Sequence, residues 1–209
     1  MISLMLVDDH AMLREGLRRK FEDCGTVRIV DEAGSGAELM EALARNHVDV
    51  IILDVKLPDD TGFALIPKVK AKTKAKIILL TMYSHVRYVM HALEAGADGF
   101  VVKGAPFDEL LRAVNAVTDG RTYVCEEMTT QLMGRFRSVR KETPMDSLSE
   151  REFEVLTMLS SGLSLKEVGT RMGISDKTVS TYQTRLMEKL DLTSKADLVR
   201  FAIESGLVE

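Results

Sequence analysis

Cysteine is almost absent from this chain. Cys24 and Cys125 are the two present in 209 residues. They stand too far apart for a zinc spacing or a disulfide framework, and such usage suits a reducing compartment. A long hydrophobic run is missing too. The opening Met1-Ile-Ser-Leu-Met-Leu-Val-Asp-Asp9 has no basic residue ahead of its apolar stretch, and two acids cut that stretch short. It reads as neither a signal peptide nor a membrane span, so the expected location is cytoplasmic, with no membrane partner. Nor is there an excess of positive charge: 28 Lys and Arg face 32 Asp and Glu, a net of −4. Residues 1–120 carry a net −3, residues 121–145 a net +2 and residues 146–209 a net −3. Neither end is a basic tail, so nucleic-acid binding has to come from a local face.

What is present is a core-forming composition, 45% hydrophobic and 29% charged, enough for a packed protein. This length holds one large domain or two small ones. The stretch that organises the chain is residues 48–62. Val50-Ile-Ile-Leu53 is a short apolar run, β-branched at its first three positions, and reads as a strand buried on both faces. Asp54 stands where it ends, and Pro58 and Gly62 punctuate the loop beyond.

The same pattern recurs on either side. Residues 2–7 form a strand that ends at Asp8-Asp9. Leu13, Leu17, Phe21 and Cys24 follow as the stripe of an amphipathic helix. Residues 27–30 are strand two, and Leu39, Met40 and Leu43 face inward from helix two. Helix three spans about residues 63–71. Residues 77–81 are strand four, ending at Thr81. Val86, Val89, Met90 and Leu93 mark helix four. Residues 100–102 are strand five, ending at Lys103, and Phe107, Leu110, Leu111, Val114 and Val117 mark helix five. Five βα units imply an α/β fold, a parallel doubly wound sheet of five strands. In the order 2-1-3-4-5, strands one and three are neighbours at the switch point, so Asp8, Asp9 and Asp54 share a crevice, with Thr81 and Lys103 beside them.

Beyond residue 120 the period changes. Residues 121–146 read as a partly helical linker, with a break at Glu142-Thr-Pro144. Residues 147–209 read as an all-α domain of four helices. Ser149-x-x-Glu152 and Ser164-x-x-Glu167 are capping boxes, and Leu148 with Phe153 is a hydrophobic staple. Gly162 and Gly173 follow helix ends. Ser175 caps the third helix, whose inward line is Val179, Tyr182, Leu186 and Leu190. Ser194-x-x-Asp197 opens the fourth, which stops at Gly206. The pair joined by Gly173-Ile174-Ser175 reads as a helix-turn-helix.

Any one acid in a βα loop is ordinary. Four polar groups ending four parallel strands are not, because that is where such sheets place ligand chemistry. Three carboxylates in one crevice repel, and a hard divalent cation, Mg²⁺ or Mn²⁺, relieves that. An aspartate held there serves as a nucleophile toward a phosphoryl donor. Lys103 balances the charge of the acyl phosphate and the Thr81 hydroxyl bonds one of its oxygens.

Asp8-Asp9, Asp54, Thr81 and Lys103 on five βα units resemble the receiver domain of a two-component response regulator, over residues 1–120. Phe100 matches its aromatic switch position. The resemblance implies Asp54 as phosphoacceptor, Asp9 and Asp54 as direct metal ligands, Asp8 as a ligand through water and the Lys56 carbonyl as a further ligand. It also implies that Lys56 and Tyr83 flank the phosphoryl group and tune its hydrolysis. Leu148-Ser-Glu-Arg-Glu152, Val155-Leu156, Gly162, Lys166-Glu-Val168, Ile174-Ser, Lys177-Thr-Val179, Leu186 and Lys189-Leu190 resemble the LuxR-like helix-turn-helix. The whole chain is thus similar to NarL/FixJ-type regulators, which implies a transcription regulator switched by phosphorylation. Its implied partners are a sensor histidine kinase, promoter DNA, a second copy when phosphorylated, and RNA polymerase.

Projecting the third helix of the C-terminal region at about 100° per residue puts Lys177, Thr181, Thr184 and Glu188 outward, with Ser180 and Arg185 on the flanks. Hydroxyls and Arg185 there are candidates to read base edges, with Thr178 and Tyr182 completing the contact set. Lys166, Lys177 and Lys189 are expected at phosphates. The family often carries Lys where Ser180 stands and His where Tyr182 stands, so a shorter, hydroxyl-rich readout is expected. With a net −3, one copy of this domain binds DNA weakly, and dimerisation on paired half-sites is needed. Two other readings stay open: a DNA-binding regulator with a degenerate receiver, and an aspartyl-phosphate hydrolase. Hydrolases of that kind commonly place a second acid two residues after the nucleophile, and Lys56 stands there.

Overall fold

The structure is a computed structural model that describes every residue except 138–143, 206 and 209. The expected break at Glu142 and Thr143 and the expected stop at Gly206 lie outside the described residues. The chain divides into two compact units.

The first unit comprises Met1–Met82 and Val86–Thr129. Its elements alternate as β1 (Ile2–Val7), α1 (Ala11–Cys24), β2 (Val27–Ala33), α2 (Gly36–Arg45), β3 (Val50–Leu53), α3 (Gly62–Lys72), β4 (Lys76–Thr81), α4 (Val86–Glu94), β5 (Gly99–Val102) and α5 (Phe107–Thr118). A further two-residue strand, β6 (Tyr123–Val124), follows, and a helix, α6 (Glu126–Arg137), begins in this unit and continues into the second. The sheet is parallel in the order β2-β1-β3-β4-β5-β6. The expected order is therefore correct, but the expected count of five is one short. Tyr123 and Val124, assigned to a linker by their sequence, pair with Gly99 and Phe100. The open edge of β5 offers unpaired backbone groups, and this short segment satisfies them.

Side chains alternate across the sheet. Leu4, Leu6, Val50, Ile52, Ile78, Leu80 and Val101 form one core with Phe21 of α1 and Leu110, Ala113, Val114 and Val117 of α5. Met5, Val7, Ile51, Leu53, Ile77, Leu79 and Phe100, which alternate with them, are equally buried. So are Leu39 of α2, Ile66 and Val69 of α3, and Val89 and Ala92 of α4. Both faces are covered, which is why these strands read as continuous apolar runs.

The second unit comprises Tyr83–His85 and Thr130–Glu209. After a 3-10 turn (Pro144–Ser147) come α7 (Glu150–Ser160), α8 (Leu165–Met172), α9 (Asp176–Leu190) and α10 (Lys195–Glu204). Both capping boxes form, at Ser149/Glu152 and Ser164/Glu167. Ser175 and Ser194 cap α9 and α10 through the amides of Thr178 and Asp197. Each such cap is worth about 1 kcal/mol. Gly173 ends α8 in the left-handed region at φ 67°. Phe153, Leu156, Leu159, Val168, Val179, Leu186 and Leu198 are all buried.

Candidate functional site

Strand register brings the acids together. Val7 of β1 stands opposite Leu53 of β3, so the next residues, Asp8 and Asp54, leave the sheet side by side. The Asp54 amide donates to the Val7 carbonyl at 2.8 Å. On the other side Thr81 pairs with Val102, and the Lys103 amide donates to the Thr81 carbonyl at 2.8 Å. Lys103 then reaches back over the sheet end. Its Nζ lies 2.7 Å from Asp8 Oδ2 and 2.7 Å from Asp54 Oδ2.

Asp8, Asp54 and Thr81 are buried, while Asp9 and Lys56 are exposed. Burial pushes the Asp54 carboxyl above the usual carboxylate range and its neighbour Asp8 adds to this, against the Lys103 ammonium and a backbone hydrogen bond from Lys56. Burial works against the charge of Lys103, but its bonds to Asp54 and Asp8 prevail and hold its pKa above the ordinary value. The crevice thus holds a buried acid pair bridged by one ammonium.

The loop after Asp54 is closed by a bridge between Lys56 and Thr61 and by the Gly62 amide, which donates to the Val55 carbonyl at 2.8 Å. Asp59 leaves this loop to accept from the amides of Gly36 and Ala37 at 2.8 Å each, which ties it to the start of α2. Tyr83 is half-buried two residues past Thr81. Phe100 is fully buried, so its ring already occupies an inward position.

One site residue was not anticipated. His10 Nδ1 lies 2.9 Å from Asp8 Oδ1 and 2.7 Å from Asp9 Oδ1. Its one sequence signal is adjacency to Asp8-Asp9. Asp8, Asp9, His10 and Asp54 offer donor atoms all within 4.8 Å of one another. Three carboxylates supply hard oxygen donors and suit a magnesium-sized dication completed by water.

In the second unit α9 presents Lys177, Thr178, Ser180, Thr181, Thr184, Arg185 and Glu188 at the surface, with Val179, Leu186 and Leu190 buried and Tyr182 half-buried. Lys166 of α8 is also exposed. Lys189, expected at a phosphate, has its ammonium 2.6 Å from Glu152 Oε2 and 3.0 Å from the Ser147 carbonyl. Glu152 is buried, and a buried carboxylate calls for a cation.

A sheet with acids and a lysine converging at the carboxyl ends of its strands, followed by a separate helix-turn-helix unit, defines a receiver joined to a DNA-binding domain. Residues 4–115 match the family described as "Response regulator receiver domain", and residues 146–202 match "Bacterial regulatory proteins, luxR family". The response regulator UvrY of Escherichia coli (strain K12) is 32% identical over 209 residues, covering 99% of this chain and 96% of that protein. The oxygen regulatory protein NreC of Staphylococcus carnosus is 33% identical over 216 residues, covering 100% of both. Among solved structures, the RcsB response regulator of Salmonella typhimurium superposes with a TM-score of 0.84 at 25% identity, covering 98% of each chain. The chain belongs to the NarL/FixJ-type response regulators. It is a DNA-binding transcription regulator of the phosphorylation-switched kind, in a family of regulators and not of classical enzymes. Among the described residues no helix is long and apolar enough to cross a membrane.

Proposed function

We propose that Asp54 accepts a phosphoryl group from a sensor histidine kinase or a small phosphodonor, and that this charge switches DNA binding by α9. The observation that carries the proposal is Lys103 Nζ at 2.7 Å from both Asp8 and Asp54. That contact opposes the effect of burial on Asp54 and favours the ionised form that a nucleophile requires. In the transfer, the bond from phosphorus to the donor's nitrogen or oxygen breaks as a bond to Asp54 Oδ forms. The donor leaves with the electron pair, and Lys103 stays paired with the new acyl phosphate. Asp9 and Asp54, Asp8 through water, and the Lys56 carbonyl would hold Mg²⁺ or Mn²⁺, which supplies charge neutralisation for the phosphoryl oxygens when bound.

The Thr81 hydroxyl turns to the phosphoryl group and favours the inward position of Phe100. Phe100 is fully buried, and the phosphoryl charge biases the balance between this inward position and an outward one. The surface of α4, β5 and α5 carries the change, and the output is a dimer on paired half-sites in promoter DNA, with RNA polymerase as a further partner. Residues 1–120 are taken as the receiver domain, 121–146 as a linker whose first residues add β6 to the receiver sheet, and 147–209 as the DNA-binding domain. The expected location is the cytoplasm.

Incubation with Mg²⁺ and acetyl phosphate, followed by intact mass, tests the reading. A stable added phosphoryl on wild type and none on Asp54→Ala supports it. Steady donor turnover without an adduct would indicate a hydrolase. No adduct, with DNA binding unchanged by acetyl phosphate, would indicate a degenerate receiver.

A further inference from the structure

The hydroxyls on the outward face of α9 are not all available to DNA. Thr181 Oγ1 donates to the Lys177 carbonyl at 3.1 Å, and Thr184 Oγ1 donates to the Ser180 carbonyl at 3.1 Å. Each hydroxyl has one proton, and here it is turned back onto the helix. A threonine side chain branches at Cβ, so fixing the oxygen also fixes the methyl. Thr178 Oγ1 lies 2.8 Å from Ser175 Oγ, at the helix start, and the Lys189 ammonium is held by Glu152 and the Ser147 carbonyl. Ser180, Arg185 and Lys177 are exposed, and no side-chain bond within the protein engages their donor groups among the described residues.

We propose that α9 reads its half-site through the methyl groups of Thr181 and Thr184 against thymine methyls in the major groove, with Ser180 and Arg185 as the side-chain donors to base edges. This rests on the reading that α9 is the DNA-recognition helix. The two threonines lie three residues apart on one face, so their Cβ atoms are about 5–6 Å apart. That separation lets them address neighbouring base pairs. Thymine is the base that shows a methyl in the major groove, and a threonine methyl is among its natural contacts. With their protons engaged, the two threonine oxygens offer acceptors alone. Arg185 suits the paired acceptors of guanine. The half-site is therefore one with thymines beside a guanine, recognised as much by apolar shape as by hydrogen bonds.

The test uses the full chain treated with Mg²⁺ and acetyl phosphate. A duplex is selected from a random pool and remade with deoxyuridine in place of each thymidine in turn, which removes the methyl alone. One or two thymidines per half-site are expected to weaken binding about fourfold when replaced, the worth of one buried methyl. Thr181→Val and Thr184→Val, which keep a methyl and lose the hydroxyl, should retain both affinity and uracil sensitivity. Thr181→Ser and Thr184→Ser, which keep the hydroxyl and lose the methyl, should bind thymine and uracil duplexes alike. Circular dichroism of the variants reports whether α9 stays folded. Insensitivity at every thymidine, or Val variants as weak as Ser variants, would overturn the inference while leaving α9 as the recognition helix. Failure to select any duplex would overturn the DNA-binding reading and this inference together.

Discussion

The amide of Cys125 donates to the carbonyl of Phe100 at 3.0 Å. The residue just after β6 is thus bonded to the residue proposed as the aromatic switch. One residue further on, the Glu126 amide opens α6 and donates to Glu109 Oε1 of α5 at 2.8 Å. A shift of β5 has a short backbone route to the start of α6. Amide exchange over residues 123–129 is expected to slow when Asp54 is phosphorylated, because the inward state of Phe100 is then favoured. Phe100→Leu should blunt that response. Exchange that ignores acetyl phosphate in the wild type would remove β6 from the switch.

Gly62 is required by close approach. A Cβ there would sit 2.5 Å from the Asp54 carbonyl oxygen and 2.9 Å from Val55 Cα. Both are backbone atoms and cannot turn aside. Gly62→Ala should lower receiver stability by about 1–3 kcal/mol and slow phosphoryl uptake, because Asp54 shifts with its loop. Urea unfolding and an intact-mass time course read the two effects.

Gly169 plays the same part in the DNA-binding unit. A Cβ there would lie 2.8 Å from the Ile174 carbonyl oxygen, in the turn between α8 and α9. Gly169→Ala should tilt or loosen α9 and cost about tenfold in DNA affinity. Phosphoryl uptake at Asp54 should be unchanged. A gel shift with the phosphorylated protein separates these outcomes, and equal loss of both would point to global unfolding.

Glu152 couples acid stability to α9. Burial raises its pKa, but the bonds from Lys189 and from Ser149 outweigh this and leave the carboxyl below the usual range. A depressed carboxylate contributes stability above its unfolded pKa of about 4.3 and loses it as pH falls through the lower folded value. Glu152→Gln should cost the second unit roughly 1–3 kcal/mol near neutral pH and flatten its stability profile in that acid window. Thermal unfolding at a series of pH values decides, and parallel profiles for the two proteins would refute the coupling.

We propose that Tyr83, two residues beyond Thr81, bears on the lifetime of the switch, as the resemblance to receivers implies for that position. Tyr83→Ala should shorten the life of the phosphorylated protein severalfold, followed by mass after removal of the donor. An unchanged lifetime would show that the side chain is an ordinary loop residue.

The sequence by itself determined the parts of this protein that depend on local pattern. Apolar runs closed by Asp8, Asp54, Thr81 and Lys103 gave the βα units and their order. Ser149, Ser164, Ser175 and Ser194 gave the helix starts, because a cap is satisfied within three residues. Tertiary structure alone decided the features whose partners are distant. Tyr123 and Val124 are too short to show a period, and they became a strand because β5 had an open edge. His10 was drawn to Asp8 and Asp9 by the geometry of the first βα turn. Lys189 read as a phosphate contact, and only the packing of α7 showed the buried Glu152 beside it. Threonine hydroxyls that read as base contacts in a helical projection proved to bond their own backbone. A projection gives the direction of a side chain, and only the folded structure shows which neighbouring group its oxygen meets.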